Sequence, residues 1–141
     1  MNKTKLFFGL FIILSLTGIL LAQRLLHPRG VFLSVQKVEK RWGNKPFDPA
    51  RFKTGDMTTR ASMAASILKD KSFIGKTNEE IWALLGRHDG YYFSDLIPTY
   101  LIEDNSLKGG DSWQIVFFID MEYKVKSIRV HKNGSEILNF P

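Results

Sequence analysis

Cysteine is absent from all 141 residues. No disulfide can form, and no N-terminal cysteine is there to carry a lipid. Such a chain is compatible with an oxidising envelope compartment. Histidine is scarce. His27, His88 and His131 are not spaced with one another, or with a carboxylate, as metal ligands on one helix or turn. Each reads as a surface histidine. Gly109-Gly110 is followed by no lysine-serine pair and opens no helix, so it is no phosphate loop. Asp95, Glu103, Asp104 and Asp111 are too scattered for an acid dyad or a calcium loop. Arg87-His88-Asp89 offers an acid–base pair, but a His-Asp after a helix end also makes a turn with a favourable dipole contact. No nucleophile or cleft is placed beside it. The expectation is a protein with no catalytic residues, metal or cofactor.

Charge is missing from one long block. Residues 6–22, LFFGLFIILSLTGILLA, hold none and follow Lys3 and Lys5. This is the layout of a secretory signal or signal anchor. As a helix, 17 residues rise about 25 Å, near the lower limit for a bilayer core of about 30 Å. Ala22 could occupy the −1 position of a cleavage site, but Leu20 at −3 fits poorly, and Leu25-Leu26 prolong the apolar character. A retained single-pass anchor over 1–23 in the inner membrane is expected, with the domain in the periplasm; a cleaved signal would release it there. Five cations (Arg24, Arg29, Lys37, Lys40, Arg41) follow the run closely, which by the positive-inside rule pulls the other way.

Residues 1–60 carry 11 Lys+Arg and 3 Asp+Glu, whereas residues 61–141 carry 9 and 11. The basic excess therefore sits beside the apolar run. Arg24, Arg29, Lys37, Lys40 and Arg41 are candidates for contact with an anionic membrane surface, at about 1 kcal/mol each. A solvated linker is the alternative reading. A nucleic-acid partner is not expected, because the second half is slightly acidic.

Residues 24–55 read as a basic juxtamembrane linker. Within it, Val31, Val35, Val38 and Trp42 follow a helical period, although Val31/Leu33/Val35 also alternate as in a strand. GNKPFDPARFKTGD reads as irregular, with Phe47 and Phe52 docking on the domain. The domain itself is expected over 56–141. Asp56 caps a helix over 57–70 with Met57, Ala61, Ala64, Ala65 and Leu68 on one face. Thr77 and Glu80 form a capping box, Ile81, Leu84 and Leu85 face the core, and Gly86 ends the helix in the left-handed position. Every unusual residue there has a structural job except Trp82, which lies off the stripe.

The remainder reads as β. GYYFSDLIPTYLI is two short strands or a bulged edge strand, interrupted by Pro98. SWQIVFFID is apolar on both faces, a strand covered twice. KVKSIRVHKNG suits an edge or half-exposed strand, and SEILNFP could add a last pairing. The expected fold class is α+β, two helices packed on a three-stranded antiparallel sheet, preceded by an N-terminal membrane helix. Tyr91, Tyr92, Phe93, Tyr100 and Trp113 are the candidate protein-contact residues, since exposed aromatics favour interfaces.

FIGKTNEEIWALLGRHD, a following aromatic strand, a polar loop and SWQIVFFIDMEYKVKSIRV together resemble the BamE/SmpA/OmlA-like envelope family. Ile74, Gly75, Thr77, Glu80, Ile81, Leu85 and Gly86 match its usual pattern, and RASMAASIL suits its first helix. Lys76 stands where methionine is usual and His88 where proline is usual. The similarity covers roughly residues 56–132. It implies a non-catalytic envelope protein that binds another protein or stabilises an assembly complex. The family's lipidated cysteine is missing, so an uncleaved apolar helix would replace the lipid tether and favour the inner membrane. The layout also resembles the repeat of β-lactamase inhibitor proteins, which bind through an aromatic-rich sheet face. A small-ligand or lipid-binding periplasmic domain, its pocket lined by the aromatic sheet, is the alternative.

Overall fold

The computed structural model describes residues 30–133. Its local structure starts from a row of polar caps. Ser34 accepts from the Lys37 N–H and opens α1, Val35–Trp42. Asp48 accepts from the Arg51 N–H and, with Pro49 in the first turn, opens α2, Pro49–Thr54. Asp56 caps α3, Met57–Lys69, through the Thr59 N–H at 2.7 Å; this bond holds its carboxyl below the usual range. Thr77 and Glu80 make both bonds of a capping box at the start of α4, Asn78–Leu85. Gly86 ends α4 at φ 84°, ψ 176°. The φ is positive, as a glycine stop needs, but ψ is extended and not the left-handed helical value expected.

Four strands form one antiparallel sheet: β1 (Val31–Leu33), β2 (Thr99–Asp104), β3 (Ser112–Ile119) and β4 (Val125–Asn133), in the order β1-β4-β3-β2. The register pairs Ile115 with both Tyr100 and Val130. Trp113, Ile115 and Phe117 thus share one face with Tyr100 and Val130, and pack against the helices. Gln114, Val116 and Phe118 point to the opposite, outer face with Thr99, Phe32 and His131.

The space between helices and sheet is filled by rings meeting edge to face. Phe47 lies 5.3 Å from Phe73, Phe52 lies 5.5 Å from Tyr100, and Phe73 lies 5.5 Å from Phe117. Each ring buried in this way stabilises the fold by about 1.5–3 kcal/mol. α1 is fastened separately. The Arg41 guanidinium stacks over Trp42 and Trp113, and both Arg41 and Trp42 bond the Glu103 carboxylate at 2.6 Å. The Arg41 hydrogen bond holds the Glu103 carboxyl below its ordinary value against burial, with a lesser contribution from Trp42.

The expected two helices on three strands are corrected to four α-helices and a four-stranded sheet among the described residues. The additional elements, β1, α1 and α2, all lie in residues 31–54, within the stretch read as a linker. The periodicity of 31–42 divides at Ser34. Its hydroxyl caps a helix, which frees the three residues before it to pair with Val130–Lys132. β4 is consequently an inner strand where β1 runs beside it, and not an edge. α3 buries a wider face than expected: the expected Ala61, Ala64 and Ala65 are joined by Met63 and Ile67, and Leu68 packs against the core, whereas Met57 is 39% exposed. The cause is that α3 packs against α1 as well as β2. The proposed membrane helix over 1–23 and the last pairing of SEILNFP lie outside the described residues. Among the described residues, no helix is long and apolar enough to cross a membrane.

Candidate functional site

The outer face of the sheet is covered by the connection between α4 and β2, residues 86–98. This loop is tied down along its length. Its first tie is Asp89, which accepts from the Leu101 N–H at 3.0 Å and from Arg60. Gly90 donates to the Thr99 carbonyl at 2.9 Å. A side chain at Gly90 would collide with Gln114 Oε1 and with Thr99, so only glycine allows this approach.

Gln114 supplies the central tie. It is fully buried on β3. Its Oε1 accepts from the Tyr91 N–H at 3.3 Å, and its Nε2 donates to the Tyr91 carbonyl at 2.8 Å. The amide acts as one rung of a strand ladder, and its orientation is set by that pairing. Nε2 also approaches His131 Nδ1 at 3.4 Å. The Nε2 hydrogen not given to Tyr91 has two acceptors in reach: Asn133 Oδ1 at 3.5 Å, and His131 Nδ1 when that ring is neutral with its proton on Nε2. Burial pushes the His131 ring down from its ordinary 6.5. His131 is 7% exposed. The surface position expected for it is therefore wrong: β1 and the loop cover β4 at that point.

The tied backbone sorts the aromatics sharply. Tyr92 turns inward, 4.8 Å from the His131 ring and 5.1 Å from Phe118. Tyr91, Phe93 and Leu96 turn outward, at 57%, 60% and 49% exposed. Phe93 sits at φ 56°, a left-handed conformation costly for a bulky side chain. The far end is held by Asn78, which donates to the Leu96 carbonyl, and by Ser94, which accepts from the Leu96 N–H.

Of the five candidate contact residues, only Tyr91 and Phe93 present their rings to solvent. Tyr92 anchors the loop. Tyr100 and Trp113 lie on the helix side of the sheet, and the Tyr100 hydroxyl donates to the Gly86 carbonyl at 2.7 Å. Burial, then the nearby Asp89 carboxylate, raise the Tyr100 phenol far above its ordinary range. Leu96 was missed by sequence reasoning. An isolated leucine beside a proline-containing strand pattern carries no signal of exposure. Lys37 and Lys40 are exposed on α1, Arg41 is paired with Glu103, and Arg24 and Arg29 lie outside the described residues.

His88 and Asp89 do not face a common centre. His88 Nδ1 accepts from the Trp82 indole at 3.2 Å, while Asp89 bonds Arg60 and Leu101. Among the described residues, no three His, Asp or Glu side chains gather as metal ligands would. Two surface grooves are present. One, of about 300 Å³, lies between α3 and residues 45–51, and another, of about 330 Å³, lies where Leu33, Leu68 and Ile128 meet.

In comparisons with known proteins, no family model matches the chain, and neither a curated protein nor a solved structure matches it.

Proposed function

We propose that this protein is a non-catalytic, membrane-tethered binding module of the cell envelope, and that it contacts a partner protein through the loop Tyr91–Leu96. The observation that carries this reading is the pairing of exposure with fixation. Three large apolar side chains stand in solvent, and the backbone beneath them is pinned by Gln114, Tyr92 and Asn78. A loop that served only to cover the sheet would turn such side chains inward. Pre-fixed aromatics lose little entropy on binding and make effective anchors. The left-handed Phe93 adds to this, since strain of that kind concentrates where a side chain must be displayed.

The tether fits the same placement. Gly30, the first described residue, lies against the His131 ring, which packs on Tyr92. Residues 23–29 separate Gly30 from the uncharged run, and seven residues span at most about 25 Å. An anchored domain would hold its aromatic loop close to the membrane, within reach of a membrane-held partner. The pattern Ile74, Gly75, Thr77, Glu80, Ile81, Leu85 and Gly86 resembles that of the BamE/SmpA/OmlA-like family, and on our reading that resemblance, which no family model supports, would imply the same class of role.

The test is a Tyr91→Ala/Phe93→Ala variant of the full chain, crosslinked in native membranes and analysed by mass spectrometry. Loss of the partner adduct with an unchanged melting temperature is the expected result. An undiminished adduct refutes the assignment of the loop.

A further inference from the structure

We propose that protonation of His131 releases the aromatic loop from the sheet, so that the contact surface is fixed at neutral pH and freed in acid. This rests on the reading of the loop as the contact surface. The coupling is a matter of donors and acceptors. Gln114 can hold the Tyr91 peptide in only one orientation, with Oε1 toward the N–H and Nε2 toward the carbonyl. That orientation places the second amide hydrogen between His131 Nδ1, at 3.4 Å, and Asn133 Oδ1, at 3.5 Å. A protonated ring carries a hydrogen on both nitrogens, so donor would face donor. If Gln114 flips to offer its oxygen to the ring, both bonds to Tyr91 are lost.

The described surroundings of the ring are largely aromatic. The Phe32 ring lies 5.1 Å away and the Tyr92 ring 4.8 Å away. Gly30 approaches so closely that a Cβ there would sit 2.1 Å from Nε2, which leaves no room for the ring to turn on that side. From β4, Arg129 points to the same face, its guanidinium 5.4 Å from Phe32. From the loop comes the Tyr92 ring, and from β4 also Asn133, whose Oδ1 lies 3.5 Å from Gln114 Nε2. β1 and β3 bring only Phe32, Ser112, Gln114, Val116 and Phe118 to that face. Among the described residues no carboxylate bonds the ring. A protonated ring would be a second cation on the face that carries Arg129.

The sign follows from the direction of the ring's shift. Its folded pKa is depressed, so the closed loop has its full stability above pH 6.5. That stability is lost as pH falls below 6.5 toward the lower folded value. Hydrogen exchange of residues 90–97 in the full chain, corrected for intrinsic rates, reads this between about pH 8 and about pH 5. Wild-type protection should fall in acid by about tenfold for each unit of depression. The His131→Gln variant should lose that pH response. Equal protection at both pH values overturns the proposal, as does an unaltered response in His131→Gln. Titration of the His131 ring by NMR in the wild-type chain is independent of how the variant folds; a value of 6.5 or above also overturns it. These measurements contain no partner, so their failure leaves the binding reading to be judged by the Tyr91/Phe93 variant alone.

Discussion

Replacing Phe93 with glycine separates display from stability. The left-handed backbone at Phe93, φ 56°, costs an L-residue about 1–2 kcal/mol, which glycine does not incur. Glycine gives back about 0.5–1 kcal/mol through the greater freedom of the unfolded chain. The substitution also removes the edge-to-face contact with Tyr92, at 4.8 Å between ring centroids, worth about 0.5–1.5 kcal/mol. Phe93 is 60% exposed, so little burial is lost. These contributions nearly cancel, and the net change in stability should stay within about 1 kcal/mol, a few degrees in melting temperature. Binding should respond differently. An aromatic anchor contributes about 2 kcal/mol or more, roughly a thirtyfold loss in affinity when it is removed. Thermal unfolding and the yield of crosslinked partner, measured on the same preparation, read both quantities. The reasoning is refuted by an unchanged partner yield. It is equally refuted if Phe93→Gly destabilises by about 3 kcal/mol or more, the range of a core aromatic.

Other substitutions probe the supports of the loop and of the helices. Tyr92→Ala removes the buried ring that pins the loop and should cost about 3–5 kcal/mol in chemical denaturation. Thr77→Ala removes half of the capping box and should cost about 1 kcal/mol, with no effect on partner yield. Glu103, with its carboxyl lowered chiefly by Arg41, contributes stability that is present above its unfolded value of 4.5 and lost as pH falls through the lower folded value. Glu103→Gln should therefore flatten the acid limb of the stability profile below about pH 4.5, read as melting temperature against pH.

The parts of this fold that were legible in the sequence are those governed by short-range chemistry. The Thr77/Glu80 box and the Asp56 cap each involve groups three residues apart, and the structure forms both as the residues indicate. The double burial of β3 was also legible, because Trp113–Ile119 carries apolar residues in both alternating sets. Assigning the residues of residues 31–54 depended on a single hydroxyl, Ser34, and on an Asp-Pro pair inside a stretch rich in breakers. Neither is distinguishable from a linker without the sheet edge and core that receive them. The candidate site was legible as a cluster and not as a surface. Tyr91, Tyr92 and Phe93 are adjacent and chemically alike, and only the tie from Gln114, 23 residues downstream, decides which ring turns inward. The burial of His131 was hidden for the same reason, since its cover comes from β1 and the loop, both distant in sequence.

The proposal at the centre of this account is that residues 91–96 touch a partner protein. A photo-reactive side chain at position 93, irradiated in native membranes and compared with one at position 107, tests it most directly. Leu107 is fully exposed on the 3-10 turn between β2 and β3. The account predicts a discrete protein adduct from position 93 and none from position 107. An adduct from 107 with none from 93 would contradict it.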